Sequence, residues 1–216
     1  MSLMLFIDPD PSAAYTPARP AAIQILAPRK VYDCTNFETL GVAKQNVATL
    51  SQLGIETPTP IQEKAIPLLL EGRDLIGLAQ TGTGKTAAFG LPLIERLLAE
   101  DRRPDNRTTR SLILAPTREL VNQITANLKN FVKGKPLKIN HVVGGVSINK
   151  QQLQLEKGTD ILVATPGRLL DLVARRAIGL TTVRFLVLDE ADQMLDLGFV
   201  HDLRKIAKMV PKKRQT

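Results

Sequence analysis

The feature that most constrains this chain is the segment A-Q-T-G-T-G-K-T at residues 79–86. It follows an apolar run at residues 75–78 and precedes a helical pattern at 87–98, so a strand, a turn and a helix come in sequence. Glycines in such a turn let backbone N–H groups point at an anion. The segment therefore predicts a phosphate-binding loop, although Ala79 stands where the general pattern has its first glycine. The alternative is a simple turn whose Lys85 is solvated.

Four residues of this segment have chemistry suited to a nucleotide. Gly82 and Gly84 allow the close approach of a phosphate to the backbone. Lys85 offers a positive charge to the β- and γ-phosphates, and the Thr86 hydroxyl is a candidate Mg²⁺ ligand. The positive end of the following helix adds a further attraction for phosphate.

Charge and cysteine content restrict the class of protein. A formal net charge of +8 favours a polyanionic partner, with nucleic acid as the first choice. The single cysteine, Cys34, excludes an internal disulfide framework, and His141 and His201 are too few and too isolated for a zinc cluster. No stretch approaches the ~20 apolar residues of a membrane span. We therefore expect a cytoplasmic protein that makes no membrane contact.

The order of apolar and helical patterns predicts the fold class. Residues 1–30 are rich in proline and alanine and are interpreted as a flexible leader, followed by one domain over 31–216. Short apolar runs in that domain alternate with helical patterns, which predicts an α/β fold: a parallel sheet with helices on both faces. The runs lie at residues 75–78, 111–115, 137–143, 160–164 and 185–188, and helical patterns include 42–50, 87–98, 169–176 and 200–209.

Ligands of such sheets collect beyond the carboxyl ends of the strands. Five positions come just after a predicted strand: Ala79, Pro116, Gly144, Thr165 and Asp189. We therefore expect these positions to lie along one edge of the sheet and to form one site.

Gln62 has two interpretations that the sequence leaves open. Thr59 suits an N-cap and Pro60 the first helical position, so Thr59 and Gln62 fit a capping box. Alternatively, the side-chain amide of Gln62 pairs with the edge of an adenine, since it offers both a donor and an acceptor. The spacing alone favours the cap.

Asp189 and Glu190 follow the buried-strand pattern at 185–188. A carboxylate in that position can hold the Mg²⁺ that bridges nucleotide phosphates, which we assign to Asp189. A neighbouring carboxylate can orient a water molecule and accept its proton, which we assign to Glu190. The alternative is an acidic turn that caps a helix over 191–195.

Two further turns carry a threonine and an arginine each. Thr117 and Arg118, and likewise Thr165 and Arg168, can contact phosphates through hydroxyl, backbone N–H and guanidinium groups. Each turn is equally suited to a helix cap with an exposed arginine. The chain has no Trp and few aromatic residues, so a stacking platform for bases is not expected. A mode of binding that reads the nucleic-acid backbone fits better.

Together these motifs resemble the N-terminal RecA-like domain of the DEAD-box ATP-dependent RNA helicases, a P-loop NTPase fold. Residues 54–62, with Phe37 upstream, resemble the Gln motif, and 79–86 resemble motif I, where Ala79 is normal. The other matches are 116–120 with motif Ia, Gly144-Gly145 with the GG element, 165–168 with motif Ib and 189–192 with motif II. The similarity extends from Phe37 to the chain end and is greatest to bacterial members.

The resemblance implies that ATP and Mg²⁺ are the cofactors and that RNA is held by its sugar-phosphate backbone, without regard to sequence. Nucleotide-binding residues would be Phe37 and Gln62 at the adenine and Ala79, Gln80, Thr81, Gly82, Thr83, Gly84, Lys85 and Thr86 at the phosphates. Catalytic residues would be Lys85, Asp189 and Glu190, and the metal ligands Thr86 and Asp189. RNA would contact Pro116, Thr117, Arg118, Gly144, Gly145, Thr165, Pro166, Gly167 and Arg168. Asp192 would couple this domain to a second RecA-like domain.

The resemblance also bears on the carboxyl-terminal end of the chain. The chain stops at Gln215-Thr216, where the family continues into the motif III strand and a second RecA-like domain. In the family's sheet, the motif III strand lies between the phosphate-loop strand and the strand that ends in Asp189. We therefore expect the intact protein to couple ATP hydrolysis to local RNA unwinding, and this chain, incomplete before motif III, not to unwind alone. Without that strand, backbone groups of the sheet are unpaired, so we expect instability, or completion by strand exchange or another segment.

Two other functional classes stay open at this stage. One is a catalytically silent module that binds RNA or a protein partner through its basic surface. The other is a P-loop ATPase that does not act on nucleic acid.

Overall fold

The computed structural model describes residues 2–5, 21–24, 36–80, 82–100 and 102–216. Its strands are β1 (Ser2–Leu5), β2 (Ala21–Gln24), β3 (Leu75–Ala79), β4 (Thr109–Leu114), β5 (Ile139–Val142), β6 (Thr159–Ala164) and β7 (Phe185–Leu188). Its helices are α1 (Lys44–Gln52), α2 (Pro60–Leu70), α3 (Lys85–Ala99), α4 (Arg118–Phe131), α5 (Ile148–Leu155), α6 (Pro166–Ala174), α7 (Ala191–Asp196) and α8 (Val200–Met209). Within the described residues, no helix has the length and apolar character needed to cross a membrane.

The strands form one sheet in the order β2-β3-β1-β7-β4-β6-β5. β4 pairs in parallel with β6 and β7, β5 with β6, and β2 with β3. β1 is antiparallel to both of its neighbours, β3 and β7, so those two strands run in the same direction. The predicted parallel arrangement is therefore confirmed for every strand except β1, and the carboxyl ends of β3, β4, β5, β6 and β7 face one edge.

The sheet has a hydrophobic core on each face. Along β4, Ile113 belongs to one core and its neighbours Leu112 and Leu114 to the other, as the alternation of side chains along a strand requires. The first core includes Phe89 of α3 and the second Leu172 of α6, both fully buried. Burying a side chain of this size contributes about 1.5–3 kcal/mol relative to leaving it in water. The prediction of helices on both faces is confirmed.

Two helices begin earlier than the apolar periodicity predicts. α3 begins at Lys85 because Gly84, with φ of +88°, is its N-cap, and α6 begins at Pro166 after the N-cap Thr165. The apolar stripe of each helix starts only in the next turn, so periodicity alone places the start too late. As a consequence, Lys85 of α3 and Gly167 of α6 lie in the first turn, where backbone N–H groups have no partner within the helix.

The expectation of a flexible leader over residues 1–30 does not hold for residues 2–5 and 21–24. Ser2 pairs with Ala79 of β3 and Leu5 with Leu188 of β7, while β2 forms the edge of the sheet beside β3. Composition did not predict this, because proline and alanine content contains no information about which backbone groups of β3 and β7 need hydrogen-bond partners. β1 and β2 supply such partners. The other residues of the expected leader lie outside the described residues.

β1 lies between β3 and β7, in the position where the resemblance predicts a missing strand. Strand exchange and completion by another segment were both expected as ways to fill this position, and completion by another segment is what the structure has. At the start of β7, Gln215 forms a parallel bridge to Phe185. Leu186 N donates to Gln215 O (2.8 Å), and Gln215 N donates to Arg184 O (2.8 Å). Whether the chain is unstable stays a prediction.

Candidate functional site

The loop between β3 and α3 has the backbone conformation that the sequence predicted. Gly82 and Gly84 have φ of +84° and +88°, values that place their N–H groups in a tight turn. The hydroxyl of Thr83 donates to Gln80 O (2.7 Å) and steadies that turn. Thr81, the remaining predicted phosphate contact of the loop, lies outside the described residues.

Lys85 is buried although it carries a charge. Its side chain is 7% exposed, and its Nζ donates to Ala79 O (3.3 Å) at the end of β3. Among the described residues, Ala79 O is the one acceptor of Lys85 Nζ. Two of the three ammonium hydrogens are therefore left for a ligand. Phosphate oxygens of a nucleotide in the loop are the acceptors that this arrangement suits.

Gln62 connects the start of α2 to the phosphate loop. Its Oε1 accepts from Thr59 N (2.9 Å), which closes the predicted capping box, and its Nε2 donates to Gly84 O (3.0 Å). The hydroxyl of Thr59 donates to Thr83 O (2.8 Å). The cap interpretation is therefore confirmed, and the contact of Gln62 with adenine stays a prediction. Sequence reasoning missed both links to the loop, since more than twenty residues separate the partners and no local pattern joins them.

Phe37 belongs to the first hydrophobic core and is only 1% exposed. It also begins a turn, because Val42 N donates to Phe37 O (3.1 Å). These contacts fix the segment that precedes α1. The stacking of Phe37 near an adenine stays a prediction.

Asp189 lies at the carboxyl end of β7, next to the phosphate loop. It is 3% exposed, and its backbone N donates to Leu114 O (2.9 Å) at the end of β4. Burial raises the pKa of its carboxyl to about 6, the positive charge of Lys85 opposes this rise, and the charge of Glu190 adds to it. Lys85 follows β3 and Asp189 follows β7, the two strands that flank β1, so these two predicted catalytic residues, 104 positions apart in the chain, come to the same part of the sheet edge.

Glu190 has a backbone conformation that is unusual for a residue with a side chain. Its φ of +53° is in the left-handed region, and it forms the N-cap of α7. Its N–H donates to Asp189 Oδ1 (3.1 Å). Left-handed non-glycine residues are strained by about 1–3 kcal/mol and are concentrated at functional sites. The alternative interpretation, an acidic turn that caps a helix, is thus also present, because Glu190 is the N-cap of α7. This cap does not exclude the proposed role of Glu190 in orienting a water molecule. Asp192 follows in the first turn of α7.

The oxygen donors near the loop suit Mg²⁺. Asp189 offers a buried carboxylate, and the half-buried Thr86 offers a hydroxyl in the first turn of α3. Mg²⁺ prefers oxygen ligands and is commonly held by one or two protein groups together with substrate phosphates. Among the residues that the structure describes, there is no group of three or more His, Cys, Asp or Glu side chains that could hold a metal by themselves.

The predicted RNA-contacting turns meet at the same edge of the sheet. A side-chain carbon added at Gly145 would overlap Arg118 Nη1, so the guanidinium lies directly against that glycine. Arg168 Nη1 donates to Val146 O (2.8 Å) in the same turn. The turn after β5 is therefore held between Arg118 at the start of α4 and Arg168 in α6.

Two structural roles in these turns are also resolved. Thr117 is the N-cap of α4, and its hydroxyl accepts from Leu120 N (3.2 Å), as the cap interpretation predicted. Thr165 is the N-cap of α6, without a side-chain hydrogen bond. Pro116 is buried, whereas Gly144, Thr165 and Gly167 are half-buried.

Gln151 was not singled out by the sequence, yet it supports the turn after β5. Its side chain is 4% exposed, and its Nε2 donates to Val143 O (3.0 Å). A glutamine in the polar sequence of α5 has no feature that distinguishes it from its neighbours, so only the three-dimensional structure identifies it.

Comparisons with known proteins agree with this geometry. The model of the family described as DEAD/DEAH box helicase matches residues 59–216. The chain is 48% identical over 182 residues to "ATP-dependent RNA helicase CshA" of Listeria monocytogenes, which covers 84% of this chain and 34% of that protein. It is 47% identical over 180 residues to "DEAD-box ATP-dependent RNA helicase CshA" of Streptococcus pneumoniae, covering 83% and 33%. It is 46% identical over 182 residues to "RNA helicase CrhR" of Synechocystis, covering 84% and 36%.

The chain thus spans about a third of the length of these relatives. The family match includes the phosphate loop, the three turns beside it and the Asp189-Glu190 pair, which are the parts that the structure brings to one edge of the sheet. On these grounds the chain belongs to the DEAD/DEAH box helicase family.

Proposed function

We propose that this chain is the N-terminal ATP-binding domain of a cytoplasmic ATP-dependent RNA helicase. It binds Mg²⁺-ATP and the sugar-phosphate backbone of RNA and, with a second RecA-like domain, couples ATP hydrolysis to local unwinding of RNA duplexes. The observation that carries the proposal is the convergence of Lys85, Asp189 and Glu190 on the carboxyl edge of the sheet, beside the phosphate loop.

The chain's own residues position the nucleotide. The N–H groups of the loop and the Nζ of Lys85 bind the phosphates, and Gln62 keeps the loop attached to α2. Asp189 and Thr86 would hold Mg²⁺, which neutralises phosphate charge when it is bound. Since burial disfavours the charged form of Asp189, a cation at this carboxylate would stabilise the ionised form and offset the effect of burial on its pKa.

Glu190 is the candidate for orienting the attacking water. Its strained backbone fixes the position of the side chain directly after the metal-binding carboxylate. A carboxylate that is held within reach of a water accepts its hydrogen bond and then its proton. Asp192, two residues further on, is proposed to couple this site to the second domain.

RNA binding is proposed at the three turns beside the nucleotide. Arg118 and Arg168 are both fixed against the Gly145-Val146 turn, so their guanidinium groups are positioned before RNA arrives. The half-buried Gly167 places a backbone N–H of the first turn of α6 at the same edge, and the N-cap Thr165, whose own N–H donates to Val142 O (3.2 Å), offers its hydroxyl there. Such contacts bind phosphates and carry no base specificity.

A nucleotide titration tests the first half of the proposal. We expect a fluorescent ATP analogue with Mg²⁺ to bind at least tenfold more weakly to Lys85→Ala than to the unchanged chain. The exposed Lys64 of α2 supplies the matched control, because Lys64→Ala removes the same charge outside the loop. Equal affinity in all three proteins would refute nucleotide binding by this loop and leave the silent binding module.

An RNA titration tests the second half independently. Anisotropy of a labelled 12-nucleotide oligo(U) should show several-fold weaker binding to Arg118→Ala and to Arg168→Ala, with a smaller salt dependence. The exposed Arg204 of α8 serves as the control of equal charge. If Arg204→Ala weakens binding as much as the other two, the RNA surface is not where we propose it.

A further inference from the structure

Two surface pockets meet at Arg176, at the opposite edge of the sheet from the phosphate loop. One has a volume of about 320 Å³ and is lined by Leu153, Arg107, Arg175 and Arg176, among others. The second has a volume of about 470 Å³ and is lined by Val173, Ile178, Leu180 and Met209 beside Arg176. The strands begin at this edge, since Thr108, just before β4, bridges to Gly179. We name the joined pockets the basal groove.

Two arginines of the basal groove have a strained backbone. Among the described residues, only three that are not glycine have positive φ: Arg107 (+54°), Arg176 (+55°) and Glu190 (+53°). A glycine adopts this conformation without the steric conflict of a Cβ atom. Glu190 belongs to the ATP site, whereas Arg107 and Arg176 belong to the basal groove. At Arg176 this conformation ends α6, since Arg176 N donates to Val173 O and Ala177 N to Leu172 O, and glycine is the usual residue at such a helix end.

Hydrogen bonds of the main chain hold both arginines in place. Arg107 N donates to Glu156 O (3.1 Å), and Gly179 N donates to Arg107 O (2.7 Å). Arg176 N donates to Val173 O (2.9 Å) at the end of α6. The backbone on both sides of the groove is therefore fixed, and both arginine side chains extend from fixed Cα positions.

The basal groove combines unpaired positive charge with exposed apolar surface. Arg107, Arg175 and Arg176 are exposed, and none has a salt bridge to another described residue. Leu153 is 65% exposed and Met209 40%, so the groove presents two large apolar side chains beside its arginines. A ligand that complements the groove therefore carries both carboxylates and apolar side chains.

We propose that the basal groove binds an acidic peptide segment with apolar side chains, presented by a partner protein. RNA fits less well, because the exposed Leu153 and Met209 have no counterpart in a sugar-phosphate backbone, and the lining residues include no aromatic side chain on which bases stack. A second copy of the chain fits less well because each copy has a net charge of +8. The basal groove is separate from the proposed ATP and RNA site. The present proposal therefore does not depend on the function proposed for that site.

A designed peptide serves as the probe. A fluorescein-labelled (Glu-Leu-Asp)₄ peptide is titrated with the chain, with (Glu-Ser-Asp)₄ as the probe of equal charge and oligo(U) of 12 nucleotides as the RNA probe. We expect at least tenfold tighter binding of the leucine peptide than of the serine peptide. Leu153→Ser is expected to weaken the leucine peptide severalfold, because it removes an exposed apolar contact without opening the core.

The strained arginines allow a variant that does not damage the fold. Arg107→Gly/Arg176→Gly removes both guanidinium groups and relieves both backbone conflicts, so the melting temperature should be unchanged or higher. We expect this variant to bind the leucine peptide at least tenfold more weakly and oligo(U) as before. Arg102→Gly/Arg103→Gly removes the same charge from a loop outside the groove and should leave both affinities unchanged.

Four results would overturn the proposal. Equal binding of the two peptides would show a general attraction of charge, and loss of oligo(U) binding in Arg107→Gly/Arg176→Gly would assign the groove to RNA. A lower melting temperature of that variant would show that the arginines are structural. Concentration-dependent dimerisation that Leu153→Ser abolishes would assign the groove to a second copy of the chain.

Discussion

The contacts of Gln62 predict that two glycines of the phosphate loop respond unequally to the same substitution. Gly82 and Gly84 have nearly equal φ, +84° and +88°. A Cβ at position 82 would have no atom within 4 Å, whereas one at position 84 would overlap Gln62 Nε2 and lie 3.1 Å from Thr59 Oγ1. Gly82→Ala is thus the matched control for Gly84→Ala, since it has the strain without the overlap.

The expected magnitudes follow from these contacts. An alanine in the left-handed region costs about 1–2 kcal/mol, and this applies to both variants. In Gly84→Ala the side chain of Gln62 must also move, which breaks its hydrogen bonds to Thr59 N and Gly84 O. Each hydrogen bond contributes about 0.5–1.5 kcal/mol, so their loss adds about 1–3 kcal/mol. We therefore expect a loss of about 1–2 kcal/mol for Gly82→Ala and about 2–5 kcal/mol for Gly84→Ala.

Urea unfolding followed by circular dichroism measures these free energies, and a double-mutant cycle isolates the part that depends on Gln62. In a Gln62→Ala background, Gly84→Ala should lose only the strain, about 1–2 kcal/mol, like Gly82→Ala. A coupling energy below about 0.5 kcal/mol would refute the reasoning. So would an equal loss of stability in Gly82→Ala and Gly84→Ala when Gln62 is present.

The remaining predictions concern stability at three other positions. Arg110→Met should destabilise the chain by about 3–5 kcal/mol in urea unfolding, because it leaves the buried Asp160, now 2.9 Å from Arg110 Nη1, without its cation; a smaller loss than Asp160→Asn would count against this. Thr117→Ala should lose about 1 kcal/mol by removing the N-cap of α4, and Thr117→Ser should recover most of it. Burial lowers the pKa of His141 from its usual 6.5, so the unfolded chain takes up this proton first, and stability should fall as the pH drops through 6.5. Unfolding measured from pH 7.5 to 5 should show a shallower decline in His141→Gln, and parallel curves would disprove the assignment.

The candidate site could be predicted to a large extent because its parts are local. The phosphate loop is read from a strand, a glycine turn and a helix within about twenty-five residues, and the Asp189-Glu190 pair from a strand and the residues after it. The rule that ligands gather at the carboxyl ends of parallel strands then joined parts that are far apart in the chain. That rule needs only the direction of the strands, which the alternation of strands and helices already implies.

Contacts between those parts could not be predicted in the same way. The link from Gln62 Nε2 to Gly84 O and the support of the Val143 carbonyl by Gln151 depend on how separate elements pack. The sequence around Gln151 does not distinguish it from a glutamine that faces solvent, and nothing around Gln62 indicates its bond to Gly84. The capping box of Gln62 was predictable because its partner is three residues away.

Residues 2–5 illustrate the limit of composition as a guide. A proline-rich context led to the expectation of a flexible leader, yet β1 pairs with both β3 and β7. The reason is that the backbone groups of those strands need partners, and any nearby segment able to extend can supply them. Main-chain hydrogen bonds have no sequence signature, so the sequence could state that a partner strand was needed but not which segment would provide it.

By itself, the sequence determined the class of fold, the phosphate loop and the positions that come after each strand, because these depend on hydrophobic periodicity and on short-range turn chemistry. The tertiary structure alone decided that Lys85 lies close enough to Asp189 to act on its pKa, that Arg118 and Arg168 hold one turn between them, and that Arg107 and Arg176 line a common groove. Each of these pairs comes from elements separated by many residues. Their distances are set by the packing of helices on the sheet, which no local pattern contains.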